Sequence, residues 1–151
     1  AMEKAEAVSR TFGSTGKLSV LGADTSVFIG DEILGKPNDY EHFRSMMVKL
    51  SGQPHQVMTA IALIMPDGQQ LSALSISKVS FRHFQQGEIE AYWRSGEPHD
   101  KAGGYAIQGI GAIFIENLSG SYSGVMGLPL FETAQLLRQA GIISAVEMAG
   151  K

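Results

Sequence analysis

Two β-rich runs, Val57 to Met65 and Leu71 to Phe81, stand on either side of Pro66-Asp67-Gly68. Proline presets one corner of a turn, aspartate bonds nearby amides and glycine takes the left-handed corner, so the two runs predict one long antiparallel hairpin. A lone hairpin is marginal in water and needs further strands or a helix against it.

The other segments supply both. Lys17 to Ala23 is a short apolar run ending in Asp24-Thr25, followed by Ser26 to Ile29, a turn at Gly30-Asp31-Glu32, and Ile33-Leu34. This predicts a strand and a second hairpin. From Asn38 the pattern turns helical: Asn38 caps, Glu41 sits three residues later, Phe43, Met46, Met47 and Leu50 share one face, and Gly52 ends the helix. Gln86 to Arg94 predicts a short helix presenting Ile89, Tyr92 and Trp93, and Gly109 to Ile115 a further strand. Ser119 to Gly127 is a loop rich in glycine and serine. Pro129 and Gly141 frame a last helix whose apolar stripe includes Leu130, Ala134 and Leu137. The opening Ala1 to Val8 has strong helix formers but no cap, as in a helix entered partway. Without repeats or a linker, residues 1–151 predict a single α/β domain, a mixed twisted sheet with flanking helices.

Composition narrows what such a domain can do. An apolar fraction of 44% with 18% charged residues is that of a folded chain. A formal net charge of −3, with Lys and Arg scattered, argues against nucleic acid as a partner. No apolar stretch approaches the ~18 residues that span a bilayer, so no membrane partner is expected and a cytoplasmic location is. The chain has no cysteine, which excludes disulfides, thiolate metal sites and a thiol nucleophile. An anionic ligand would have to be met locally, by a few focused cations, backbone amides or a divalent metal.

Gly22-Ala23-Asp24-Thr25 and Leu34-Gly35-Lys36-Pro37 offer such a focus. A two-residue turn at Gly30-Asp31 sets Lys36 opposite Thr25 and one step from Asp24; a three-residue turn moves this by one. Opposed Cβ atoms lie ~4.5–5.5 Å apart and diagonal ones ~7–8 Å, close enough for carboxylate, hydroxyl and ammonium to converge. A carboxylate binds Mg²⁺ or orients water, and an ammonium neutralises phosphate. The alternative is an Asp-Thr turn beside a solvated lysine.

These two tetrapeptides, with Leu50-Ser51-Gly52, His55-Gln56-Val57-Met58-Thr59, Asp100 to Gly109 (Asp-Lys-Ala-Gly-Gly-Tyr-Ala-Ile-Gln-Gly) and Gly127-Leu128-Pro129-Leu130, resemble in order and approximate spacing the motifs of the Maf family of nucleoside triphosphate pyrophosphatases. The resemblance runs from near Lys4 to the last helix. It implies a fold similar to inosine triphosphate pyrophosphatases and metal-dependent cleavage between the α- and β-phosphates. Asp24 then matches the proton acceptor and a metal ligand, Lys4 and Lys36 match phosphate-binding lysines, and Thr25 and Gln108 match positions that choose the base. Ala106-Ile107-Gln108-Gly109 favours the dTTP/UTP branch, with CTP and modified pyrimidine nucleotides as further substrates, over the branch for 7-methyl-GTP. The resemblance also implies a divalent cation, Mg²⁺ first and Mn²⁺ or Co²⁺ as alternatives, a homodimer, and a role in nucleotide-pool cleansing linked to cell-division arrest.

Family members begin with a strand and a Ser-x-Arg-Arg phosphate loop, which this sequence does not contain. The expectation is therefore an N-terminally truncated Maf-like domain, and the alternative to an enzyme is a catalytically impaired nucleotide-binding or regulatory form. Elsewhere the plainer readings prevail. His55 and His83 lack paired ligand spacing, Gly109-x-Gly111 lacks the rest of a dinucleotide fingerprint, and Tyr92 and Trp93 read as packing. Arg82 and Lys101 are balanced between anion contacts and surface salt bridges, and the Ser119 to Gly124 segment between phosphate-binding amides and a flexible loop.

Overall fold

In the computed structural model, which describes residues 1–12, 18–142, 146, 149 and 150, the Pro66-Asp67-Gly68 hairpin is the centre of the sheet. Its arms are β3 (Pro54–Ile64) and β4 (Gln70–Phe81), paired antiparallel from Pro54↔Ser80 to Ile64↔Gln70. The turn closes because Met65 N donates to Gln69 O at 2.8 Å and Gln69 N to the Asp67 carboxylate at 2.9 Å. Gly68 takes the positive φ, 86°, that this corner requires.

β1 (Val20–Ile29) and β2 (Glu32–Leu34) form the second hairpin, with the register of a two-residue turn at Gly30-Asp31: Val27↔Leu34, Phe28↔Ile33, Ile29↔Glu32. The predicted start of this run, Lys17, lies outside the described residues. β5 (Ile115–Ser119) completes a five-stranded sheet of order β2-β1-β3-β4-β5. The fold is α/β, and every strand pairing among the described residues is antiparallel, so the mixed character expected of the sheet is not found within them.

Alternation along the strands sends Val27, Val57, Val79 and Phe81 to the face covered by α2 (Tyr40–Leu50) and α3 (Glu88–Arg94). The predicted stripe of α2 is the buried one, Phe43, Met46, Met47 and Leu50. Burying each of these side chains contributes roughly 1.5–3 kcal/mol. The cap is Asp39 rather than Asn38: its carboxylate accepts from His42 N at 2.8 Å, and a carboxylate is favoured at the positive end of a helix. Tyr92 is buried, and Trp93 stacks on Phe43 with ring centroids 5.1 Å apart, so both are packing residues.

α1 (Met2–Phe12) lies on the opposite face, where Ala5 packs against Ala62 and Ile64. A Cβ on Gly22 would stand 2.7 Å from Ala1 O and 3.0 Å from Ala5 Cβ. The missing side chain is thus what lets α1 sit directly on β1.

Three local expectations give way. Residues Ile110–Phe114 form a 3₁₀ turn, not a strand, because Gly111 packs against the Tyr92 hydroxyl and its N–H donates to Glu97 Oε2 at 3.3 Å, contacts a pleated strand could not make. The glycine- and serine-rich stretch contains α4 (Tyr122–Met126), capped by Ser121 Oγ accepting from Gly124 N at 2.9 Å. In α5 (Leu130–Gln139) Leu137 of the predicted stripe packs on the core, but the buried positions are Thr133 and Leu136 and Leu130 is exposed, because the helix is rotated to seat Leu136 on Ile61 and Leu63.

Candidate active site

Alternation places Gly22 and Asp24 on the same face of β1, one pleat apart. With Ala5 seated beside Gly22, the neighbouring Lys4 reaches Asp24, and its Nζ donates to Oδ1. Lys4 holds the Asp24 carboxyl below the usual carboxylate range. Asp24 is therefore ionised at neutral pH.

Lys36 arrives differently. The β1–β2 ladder stops at Leu34, so Lys36 lies beyond it and is not paired across from Thr25 as its register alone suggests. Its partner is Asp100, with Nζ donating to Oδ1 at 2.6 Å. The segment carrying Asp100 is anchored by Gly103 N donating to Gly35 O at 3.0 Å. Gly103 and Gly104 both take positive φ, 72° and 74°, and lie so close to Val27 and Phe43 that an added Cβ would come within 3.0 Å of each. Only a glycine pair lets this chain cross the core there. Lys36 in turn lowers the pKa of Asp100.

The same crossing delivers Tyr105 and Gln108. Tyr105 is fixed from below by the buried His55, whose Nε2 lies 2.7 Å from the phenol oxygen. Burial pushes the His55 pKa down to about 4, so the ring is neutral. From the far side comes α4, held to the sheet by Thr59 Oγ1 donating to Gly124 O at 2.7 Å.

These pieces enclose a cavity of about 280 Å³, and Lys4, Asp24, Thr25, Lys36 and Gln108 all line it, together with Asp100. Its mouth therefore carries two lysine–carboxylate pairs, and its wall a hydroxyl and an amide. Carboxylates and ammoniums of this kind can exchange partners with a polyphosphate and a hard cation.

The model of the family described as Maf-like protein matches residues 1–140. The chain belongs to the Maf family. It is 54% identical over 140 residues to the dTTP/UTP pyrophosphatase of Alkalilimnicola ehrlichii, an alignment covering 91% of this chain and 68% of that protein. It is 58% identical over 125 residues to the dTTP/UTP pyrophosphatase of Nitrosomonas europaea, covering 83% of this chain and 60% of that one. With the protein of the same description in Hahella chejuensis it shares 47% over 142 residues, covering 94% and 70%. The Maf-family chain thus spans 60% to 70% of the length of these relatives.

Two residues of the site in this Maf-family chain, Asp100 on the cavity lining and Thr59 behind it, carry no separate sequence signal. Asp100 sits inside the motif that runs to Gly109, and only its contact with Lys36 marks it. Thr59 alternates with apolar neighbours in β3 and is fully buried, yet its oxygen is 2.8 Å from Thr25 Oγ1. Arg82 takes the salt-bridge alternative: its Nη1 and Nη2 each donate to a Glu88 carboxylate oxygen at 2.8 Å, a bidentate pair. His55 takes the hydrogen-bonded structural role, and Lys101 lines the cavity. Among the described residues no helix is long and apolar enough to cross a membrane.

Proposed function

We propose that this cavity binds a pyrimidine nucleoside triphosphate, dTTP or UTP, and cleaves it to the monophosphate and pyrophosphate. The observation that carries the reading is the pair of exposed lysine–carboxylate contacts, Lys4 with Asp24 and Lys36 with Asp100, on one cavity that Thr25 and Gln108 also line. Relatives named dTTP/UTP pyrophosphatase support the choice of substrate.

The chemistry follows from the charges. An isolated surface ion pair is worth little, so a triphosphate can draw both ammoniums away from their carboxylates at small cost. Lys4 and Lys36 then neutralise phosphate oxygens, and Asp24 and Asp100 are released. Freed of Lys4, Asp24 becomes more basic. It accepts a proton from water as the water oxygen joins the α-phosphorus and the bridging oxygen leaves with pyrophosphate. Thr25 and Gln108 hold the base.

The carboxylates also suit a divalent cation. No cluster of three or more His, Asp or Glu able to hold a metal occurs among the described residues. Mg²⁺ is commonly held by one or two carboxylates plus substrate phosphates, and Asp24 with Asp100 supplies that set of hard oxygens. When bound, the cation would withdraw charge from the phosphates. Mn²⁺ or Co²⁺ would fit the same oxygen donors. A homodimer and a cytoplasmic setting belong to this proposal and rest on the family.

The test is a competition assay of the protein with dTTP, UTP and 7-methyl-GTP in Mg²⁺, reading monophosphate and pyrophosphate. Preferential turnover of dTTP and UTP is expected. A preference for 7-methyl-GTP would overturn the base assignment, and tight binding without product would reduce the protein to a nucleotide-binding module.

A further inference from the structure

We infer that Thr59, which does not line the cavity, sets which bases the cavity accepts by fixing the direction in which the Thr25 hydroxyl hydrogen-bonds. This inference rests on the pyrimidine nucleotide reading above and assigns the atom that discriminates within it.

A hydroxyl has one proton and two lone pairs. Thr59 is fully buried, and its Oγ1 donates that one proton to the carbonyl of Gly124 at 2.7 Å, since a carbonyl can only accept. The carbonyl is itself held in place by α4, where it also accepts from Gly127 N at 3.1 Å. Thr25 Oγ1 lies 2.8 Å from Thr59 Oγ1, and with the Thr59 proton already committed, Thr25 must be the donor between them. The chain of bonds therefore runs one way, from Thr25 to Thr59 to Gly124.

The consequence is on the cavity side. Thr25 has no proton left, so it offers a ligand lone pairs alone. A neutral alcohol that ordinarily adapts to donor or acceptor has become a dedicated acceptor.

Uracil and thymine present an N3–H between two carbonyls, a donor that this acceptor satisfies. Cytosine presents a bare N3 lone pair, which would face the Thr25 lone pairs. Gln108, whose amide can donate to a flanking carbonyl, also lines the cavity. Cytosine is disfavoured because an acceptor covered by the base and left facing another acceptor has lost its water without gaining a partner.

Binding of non-cleavable α,β-methylene UTP and CTP, measured by calorimetry, tests the inference without requiring turnover. Wild type and Thr59→Ser, which keeps the hydroxyl, should prefer the uracil analogue to a similar degree. Thr59→Val keeps the shape but frees the Thr25 proton to donate, and the preference should fall by about tenfold. A merely structural role for Thr59 would weaken both analogues alike and leave their ratio unchanged. An unchanged ratio in Thr59→Val, or an equal loss in Thr59→Ser, overturns the inference. Should Thr59→Val not fold, N3-methyl-UTP on the wild type decides: affinity at or below that of CTP supports it, and affinity nearer UTP overturns it. Pyrophosphate release from UTP is measured separately. Uracil preference without release would sink the enzymatic reading and keep the inference, release with an unresponsive ratio would do the reverse, and no binding of either analogue would sink both.

Discussion

Lys36 and Asp100, 64 positions apart in the chain, meet through an Nζ to Oδ1 hydrogen bond of 2.6 Å at a cavity that Asp24 also lines. Both side chains are well exposed, 62% and 85%, so the pair contributes little to stability. Its importance lies in keeping an ammonium at the cavity mouth. Lys36→Met is expected to lower kcat/KM for UTP by about ten- to hundredfold, the worth of one charge-assisted bond, with the melting temperature nearly unchanged. Steady-state kinetics beside a thermal melt checks both halves.

Asp24→Asn removes the proposed proton acceptor and one of the two carboxylates proposed to hold the cation. Turnover is expected to drop by roughly 10²–10⁴-fold with the fold intact. Unaltered pyrophosphate release would remove Asp24 from the mechanism.

The Lys4 contact adds a pH signature. Lys4 holds the folded-state pKa of Asp24 below its usual value, so the carboxylate remains charged until the pH falls beneath the ordinary aspartate range. If Asp24 is the base, as proposed, the acid limb of kcat/KM for the free enzyme is expected there. Lys4→Met should shift that limb upward, toward the ordinary aspartate range, and a limb that stays in place contradicts the pairing.

Gly22→Val should undock α1. Its Cβ would stand 2.7 Å from Ala1 O, so the helix must move and carry Lys4 away from Asp24. The expected result is a loss of about 1–3 kcal/mol with a fall in activity, read from denaturant unfolding and the pyrophosphate assay. Gly30→Ala, in open space in the β1–β2 turn, is the control: it strains only the local backbone at φ 56° and leaves Lys4 where it is.

His55 predicts the acid sensitivity of the core. Its folded pKa, pushed down to about 4 by burial, lies below the ordinary 6.5, so the unfolded chain binds the extra proton first. The stability this neutral ring allows is complete above pH ~6.5 and declines as the pH falls toward ~4, by at most ~3 kcal/mol. Urea unfolding across that window should show the slope, and His55→Gln should flatten it.

Much of the fold was readable because its signals are local. The period of α2 identified the face that Phe43, Met46, Met47 and Leu50 bury, and Pro66-Asp67-Gly68 identified the central hairpin. The β1–β2 register was readable too, since turn length sets it. Misreadings fell where apolar content is ambiguous. Ile110 to Phe114 looks like a strand until Gly111 is seen against Tyr92 and Glu97, and α4 depends on a Ser121 cap inside a stretch otherwise typical of loops.

The chain of residues by itself determined which side chains are available: the aspartate at 24, the lysines at 4 and 36, the threonine at 25 and the glutamine at 108. Tertiary packing alone decided who meets whom. Lys4 reaches Asp24 because Gly22 admits a helix, Lys36 reaches Asp100 because two left-handed glycines carry the chain over Val27 and Phe43, and Thr25 meets Thr59 where Thr59 also donates to the Gly124 carbonyl of α4. Periodicity and turn chemistry act over a few residues and can be read in order. Each of these contacts joins segments far apart in that order, and close packing of the intervening elements is what brings them within bonding distance.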